Sequence, residues 1–215
     1  IEELCTARRD NFKNKISIIH NKVNIGMAAN LASAFIQQLE GWIWILSDDD
    51  LPSIYAVEYI HEEIQNCYET GVINFPIFDM PEILTDKGKI FKSLHELLDF
   101  YQRIIFNGCN ESECSGDFIY LSNKVYNTFY IKQYYQKIFT YAYSGIPQLI
   151  PILFMLEEKT ANLWISNKKI VAYDEPNGDH WDWIKTILGM RIITDFPLMI
   201  DEKDTVKIIE VGARM

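Results

Sequence analysis

Cysteine is scarce in this chain, and its spacing fits neither a metal site nor a disulfide framework. Four cysteines occur in 215 residues. Cys109 and Cys114 are the closest pair, and no second pair or histidine cluster accompanies them. This arrangement argues against a zinc knuckle and favours reduced thiols in a cytoplasmic protein.

Long apolar runs and an excess of basic charge are lacking too. No apolar run approaches the roughly 20 residues that a transmembrane helix needs, and no signal-peptide pattern is recognised. The 20 Lys and Arg residues are outnumbered by 30 Asp and Glu residues, which gives a formal net charge of −10. The acidic surplus argues against nucleic acid as a partner, and it suits a site that uses a metal ion to attract an anionic substrate.

The length and composition predict a single α/β domain over residues 1–215. Hydrophobic residues make up 48% of the chain, and no internal repeat, low-complexity tract or linker divides it. A chain of this size buries enough surface for one well-formed core and falls short of two.

The most informative stretch is an apolar run that ends in a cluster of acids. Residues 42–46 are apolar, and Ser47 is followed by three consecutive aspartates, Asp48, Asp49 and Asp50. A short apolar run bounded by turn residues predicts a buried strand. Pro52 and the helical spacing that follows predict a helix over about residues 53–69. The carboxylates therefore lie at the carboxyl end of a strand, which is where open α/β sheets bind ligands.

Three adjacent carboxylates repel one another unless a cation or hydrogen-bond donors hold them. Mg²⁺ and Mn²⁺ prefer oxygen ligands and often share them between carboxylates and substrate phosphates. The alternative is that the acids cap the following helix and complement the positive end of its dipole. One or two aspartates suffice for capping, so we favour the metal–phosphate interpretation.

The remaining periodicities predict alternating strands and helices. A strand over residues 16–20, a helix ending at Gly41 and the strand at 42–46 would form a β-α-β unit with parallel strands. Pro76, inside a predicted strand at 72–78, indicates an edge strand or a bulge. The other predicted elements are a helix over 91–105, a strand over 117–122, a tyrosine-rich helix to about 139, a helix over 146–158, a β pair formed by 163–165 and 169–173, and a polar loop over 174–182.

The segment Asn24-Ile-Gly26-Met-Ala-Ala-Asn30, followed by a helix and then by the strand and its Ser-Asp-Asp-Asp turn, resembles glycosyltransferase family 2. The resemblance is strong over residues 20–60 and only architectural from 61 to about 190. The form of the turn is closest to the bacterial branch that builds surface polysaccharides. The resemblance implies the GT-A fold, a Rossmann-like α/β/α sandwich with a mostly parallel central sheet. It also implies a nucleotide-sugar half over about 1–78 and an acceptor half over about 79–215.

The resemblance assigns a role to each aspartate of the turn. Asp48 would lie near the ribose of a UDP- or GDP-sugar donor. Asp49 and Asp50 would bind the Mn²⁺ or Mg²⁺ ion that bridges the donor diphosphate. Such an ion neutralises the charge that develops on a nucleoside diphosphate as it leaves.

The upstream segment would shape the nucleotide pocket. Asn24, Gly26 and Asn30 are the implied nucleotide-sugar-binding residues, with Gly26 allowing a tight backbone turn. For Asn24 and Asn30 the alternative is ordinary hydrogen bonding at the start of a helix. The family's usual first strand and its base-binding turn have no counterpart, so we expect either a chain that continues before Ile1 or a shortened member with weaker nucleotide contacts.

The catalytic base is not where the resemblance would put it. Inverting members take a carboxylate base from a Glu-Asp pair in the acceptor half, and residues 144–151 contain no acid. Asp117, Asp179 and Asp182 are the candidate catalytic residues, each with a solvated surface role as its alternative. His180, in the same late loop, is a candidate additional metal ligand or a solvated histidine.

We therefore expect a metal-dependent, inverting glycosyltransferase that acts on a glycan or lipid-linked acceptor. It would work in the cytoplasm or at the inner face of the membrane. The aromatic and basic residues 129–143 suit a core helix, stacking on an acceptor sugar or peripheral contact with a membrane. One alternative is a degenerate nucleotide-sugar-binding protein without transfer activity. A Mg²⁺-dependent phosphohydrolase is a weaker one, because the expected lysine arrangement downstream of the acids is not found.

Overall fold

The computed structural model of the chain describes residues 21–37, 40–47, 50–77, 88–106 and 116–172. The strands are β1 (Trp42–Trp44), β2 (Leu51–Pro52), β3 (Thr70–Asn74), β4 (Lys89–Phe91), β5 (Lys124–Asn127), β6 (Asn162–Ile165) and β7 (Val171–Ala172). The helices are α1 (Met27–Phe35), α2 (Ala56–Asn66), α3 (Leu94–Phe106), α4 (Thr128–Ile131), α5 (Tyr135–Thr140) and α6 (Ile150–Glu157). Single 3₁₀ turns occupy Lys132–Tyr134, Ala142–Ser144 and Pro147–Leu149.

The central sheet is mixed, with the strand order β1-β5-β3-β6-β4. Only the β3–β6 pairing is parallel, and the other three pairings are antiparallel. The α/β class is confirmed, but the expectation of a mostly parallel sheet is wrong for the described residues. An apolar run predicts that a strand exists without fixing its direction, and β5 enters antiparallel between β1 and β3.

Alternate side chains of the sheet face two separate cores, with helices over both faces. One core is shared with α1, α3, α5 and α6, and the other with α2. Successive strand residues point to opposite faces. In β3, Val72 belongs to the first core and Ile73 to the second, and in β5 the same division separates Tyr126 from Val125. The described part of the chain is therefore layered α/β/α, and none of its helices could cross a membrane.

Several predicted elements differ from those observed. Residues 116–119 are helical rather than extended, and the strand of this region is β5, seven residues after Asp117. The tyrosine-rich helix is broken into α4, a 3₁₀ turn and α5. The expected late β pair does not form, because β6 joins the central sheet and β7 pairs with β2. The predicted strand at 16–20 lies outside the described residues.

Two turn residues act differently from their prediction. Helix α1 ends at Phe35, so Gly41 is not its terminator. Instead Gly41 has a φ of 87°, a left-handed conformation, and leads into β1. Pro76 follows the last residue of β3, Asn74, so it ends a central strand and does not mark an edge. The predicted helices at 53–69, 91–105 and 146–158 are confirmed as α2, α3 and the 3₁₀ turn that continues into α6.

Strand β3 approaches α6 so closely that glycine is required between them. A Cβ atom built on Gly71 would lie 2.1 Å from Met155 Sδ, 3.2 Å from Ala161 Cβ and 3.3 Å from Tyr130 Cβ. Met155 itself is fully buried, so its side chain has little room to move away. The contact between the sheet and its first core therefore depends on the missing side chain at position 71.

We expect Gly71→Ala to destabilise the protein by about 1–3 kcal/mol, because the added methyl group overpacks this contact. Urea unfolding of the wild type and the variant measures the difference. The matched comparison is the same substitution in a Met155→Ala background, where the methyl group has space and should cost less. An equal cost in both backgrounds would contradict this explanation.

Candidate functional site

Three strands of the central sheet run in the same direction and end at one edge. They are β1, β3 and β6, and the segments that follow them lead to Asp50, to Ile77 and to residues 166–170. Residues 117–123, which precede the antiparallel β5, reach the same edge. The carboxyl edge of an α/β sheet is the usual ligand-binding position, so this edge is the candidate site.

Residues 120–122 hold both flanks of the acidic turn. The Ser47 amide donates to Ser122 Oγ at 2.8 Å, and the hydroxyl of Tyr120 donates to Asp50 Oδ1. The indole nitrogen of Trp44 donates to the Ser122 carbonyl at 2.7 Å. Asp48 and Asp49 lie between these anchors and outside the described residues. The turn is thus tied at both ends to a single neighbouring segment.

The ammonium group of Lys124 organises that neighbouring segment from inside. It donates to the carbonyl oxygen of Tyr120 at 2.6 Å, to Asn123 Oδ1 at 2.7 Å and to the Asp117 carbonyl oxygen at 3.3 Å. The side chain is fully buried. Burial lowers the pKa of the Lys124 amine to about 7, although the nearby Asp117 carboxylate partly opposes this effect. The loop therefore folds around a buried amine of the chain itself, and burial favours the uncharged form of that amine.

Asp117 is also buried, which bears on its predicted role as a base. Its side chain is 1% exposed and accepts hydrogen bonds from the Ile77 amide at 2.7 Å and from Asn74 Nδ2 at 3.1 Å. Burial raises the pKa of the carboxyl group, and Lys124 acts against that rise. A general base has to reach the hydroxyl group of a substrate. In this position Asp117 joins β3 to the loop before β5, and it does not face solvent.

Asn24, Gly26 and Asn30 come together at the start of α1. Asn24 Oδ1 accepts from the Gly26 amide at 2.9 Å, and the Asn30 amide donates to the Gly26 carbonyl at 3.0 Å. Gly26 has φ 79° and ψ 160°, a backbone region almost restricted to glycine. Nothing lies within 4 Å of a Cβ built there, so its conformation, not crowding, requires glycine. These bonds are those of a helix start, which was the alternative for both asparagines.

The small β2–β7 sheet connects the acidic turn to the late part of the chain. Leu51, directly after Asp50, pairs with Ala172, and the Ser53 amide donates to the Ile170 carbonyl at 2.8 Å. Asp179, His180 and Asp182 lie outside the described residues. The register nevertheless places Ala172, eight residues before His180, opposite the residue that follows Asp50.

The donor chemistry of the turn fits a hard divalent cation. Asp50 supplies carboxylate oxygens, and none of the described residues donates a hydrogen bond to its Oδ2. Within the described ranges no three His, Cys, Asp or Glu side chains are grouped as a metal site. Asp49, Asp48 and substrate phosphates would have to complete the shell, as Mg²⁺ and Mn²⁺ sites commonly require.

Three supporting residues were not predicted from the sequence. Tyr120, Ser122 and Lys124 carry the hydrogen bonds that organise the site, and none of them was a candidate. The sequence pattern does not indicate the burial of Lys124, because lysine is almost never fully buried. Nothing in the local pattern distinguishes Ser122 from an ordinary turn serine.

We expect Lys124→Met to destabilise the protein by about 3 kcal/mol, because it leaves the oxygen acceptors around the buried amine without their hydrogen-bond donor. Lys132→Met, at an exposed lysine, is the matched control and should cost less than about 0.5 kcal/mol. Urea unfolding at pH 7 measures both. Equal stability of the two variants would show that the buried ammonium does not support the loop.

The stability that Lys124 contributes should increase with pH. Its folded pKa is about 7 and its ordinary value is 10.5. Between these values the unfolded chain holds a proton that the folded chain has lost, so the wild type gains up to about 1.4 kcal/mol per pH unit. The free-energy difference between wild type and Lys124→Met should therefore widen from pH 7 to pH 9. Urea unfolding at both pH values tests this, and a constant difference would contradict it.

No protein-family model, no curated protein and no solved structure matches this chain. Its function therefore has to be argued from its residues and from the geometry of the site.

Proposed function

We propose that the protein is a metal-dependent glycosyltransferase of the GT-A type. It would transfer a sugar from a UDP- or GDP-sugar to a glycan or lipid-linked acceptor in bacterial surface polysaccharide synthesis. The observation that carries the proposal is the position of the acidic turn. Asp50 lies beyond the carboxyl end of β1, with its carboxylate held by Tyr120, at the ligand-binding edge of an α/β/α sandwich.

Each part of the turn has a role in this proposal. Asp49 and Asp50 would hold Mn²⁺ or Mg²⁺, and Asp48 would contact the donor ribose. When bound, the cation neutralises negative charge on the departing nucleoside diphosphate. Asn24, Gly26 and Asn30 border the nucleotide.

The transfer itself requires a base that takes the proton of the acceptor hydroxyl. The hydroxyl oxygen forms a bond to the anomeric carbon as the bond from that carbon to the diphosphate oxygen breaks. Asp179 and Asp182 are the proposed bases, because Asp117 is buried and its two carboxylate oxygens each accept a hydrogen bond. The pairing of β2 with β7 supports this choice, since it brings the chain to Leu51 shortly before these residues.

Exposed apolar side chains beside the turn favour a lipid-linked acceptor. Leu51 is 63% exposed, Val57 is 73% exposed and Ile54 is 90% exposed. All three follow Asp50 within seven residues of the sequence, and exposed apolar side chains suit contact with the lipid of such an acceptor.

A nucleotide-sugar-binding protein without transfer activity is the second candidate. The burial of Asp117 favours it, because this is the one candidate base within the described residues and it is 1% exposed. The two candidates differ in whether a bound nucleotide-sugar is turned over.

Calorimetric titration with UDP and GDP, with and without Mn²⁺, tests the proposal. We expect one nucleotide to bind in a Mn²⁺-dependent manner and Asp50→Asn to weaken this binding at least about tenfold, because the variant loses a charged ligand. Asn at position 50 can still accept the Tyr120 hydroxyl, so the turn should persist. Asp99→Asn, at a carboxylate whose side chain is 44% exposed on α3, is the matched control and should bind like the wild type.

Circular dichroism shows whether each protein is folded, so that a lack of nucleotide binding can be distinguished from unfolding. A folded wild type that binds neither nucleotide, or binds one without regard to Mn²⁺ or Asp50, would rule out the proposed donor site. If binding is as expected, incubation with the corresponding UDP- or GDP-sugars, Mn²⁺ and a set of glycan and lipid-linked acceptors follows. Release of the nucleoside diphosphate supports the transferase, and retention of the intact donor supports the binding protein.

A further inference from the structure

We infer that Tyr120 is a positioning residue for the metal-binding carboxylate of Asp50. This inference rests on the proposed function, because it assumes that Asp50 is a metal ligand. It adds a residue outside the acidic turn, on a different part of the chain, whose hydroxyl sets the orientation of that ligand.

The first support is the geometry of the contact. The Tyr120 hydroxyl donates to Oδ1 of Asp50, and no described residue donates to Oδ2. A carboxylate fixed through one oxygen presents the other in a defined direction. Metal-ligating carboxylates are commonly oriented in this way by a hydrogen bond from outside the ligand set.

The second support is the rigidity of the residue that makes the contact. The carbonyl oxygen of Tyr120 accepts from the buried Lys124 ammonium at 2.6 Å, and its amide donates to the Gly116 carbonyl at 2.9 Å. Its ring packs in the second core, beside β1 and α2. Because the backbone and the ring of Tyr120 are both held in place, its hydroxyl can orient the Asp50 carboxylate before a metal ion binds.

The third support is that the same segment holds the opposite flank of the turn. Ser122, two residues further on, accepts from the Ser47 amide through its hydroxyl at 2.8 Å. Ser122 is fully buried. Two residues of the same segment thus hold Ser47 and Asp50, the residues on either side of Asp48 and Asp49 in the sequence. The geometry points to an Asp50 carboxylate that is oriented before a cation binds.

Direct titration of Mn²⁺, followed by the electron paramagnetic resonance signal of the free ion, tests this inference without any enzyme assay. We expect Tyr120→Phe to weaken Mn²⁺ binding about tenfold, the lower end of the range for losing an outer partner of a metal ligand. Tyr126→Phe is the matched control. Its buried hydroxyl donates to the Gln148 carbonyl oxygen at 3.1 Å on the other face of the sheet, so this variant too loses one tyrosine hydrogen bond.

Metal selectivity separates positioning from a general loss of structure. Mg²⁺ demands nearly ideal octahedral geometry, whereas Ca²⁺ accepts irregular shells. Displacement of Mn²⁺ by each ion should therefore show that Tyr120→Phe weakens Mg²⁺ binding more than Ca²⁺ binding. Equal losses for both ions would contradict a positioning role.

Failure of this inference and failure of the proposed function give different results in the Mn²⁺ titration. If Asp50→Asn abolishes Mn²⁺ binding and Tyr120→Phe behaves like Tyr126→Phe, the inference is wrong and the proposed metal site stands. If Asp50→Asn leaves Mn²⁺ binding unchanged, the proposed function itself fails. Should Tyr120→Phe not fold, Tyr120→Leu replaces it in the same assay, and Mn²⁺ affinity equal to that of the wild type would overturn the inference.

Discussion

The candidate site depends on the hydrogen bonds that the buried Lys124 amine donates. A polar group in the interior is costly unless hydrogen bonds replace its hydration. Here the replacements come from two carbonyl oxygens and one side-chain amide within residues 117–123, so the loop must adopt the shape that delivers them. The hydrogen bonds that satisfy the buried amine therefore also fix the shape of the loop. Burying a lysine is usually destabilising, but here its amine is the group around which this segment folds.

The effect of Lys124 extends outward in two steps. The loop that it organises presents Tyr120 and Ser122, and these residues hold Asp50 and Ser47. Both flanks of the acidic turn are therefore held by a separate element, and the strand before the turn determines where it begins. Hydrogen bonds of this kind resist the mutual repulsion of neighbouring like charges.

The local features of the fold were predictable from the sequence, and the long-range ones were not. The strand before the acids, α2 and α3 follow from apolar spacing over ten or so residues. The position of β5 between β1 and β3, and the pairing of Leu51 with Ala172, join residues that are 50 or more positions apart, and no local pattern encodes them. The same holds for the candidate site. The three adjacent carboxylates could be found in the sequence, whereas the burial of Asp117 and the contacts of Tyr120 depend on which strands become neighbours.

The shortness of the outer strands has a consequence for how the protein meets other molecules. Within the described residues, β1 and β4 are the outermost strands of the central sheet, and each has three residues. In the small sheet, Pro52 has no amide hydrogen to offer. Short edges and proline give an approaching strand little backbone to pair with, which protects a sheet protein from edge-to-edge aggregation. Contacts with partners should therefore form through side chains, such as the exposed apolar ones beside the acidic turn, and not by extension of the sheet.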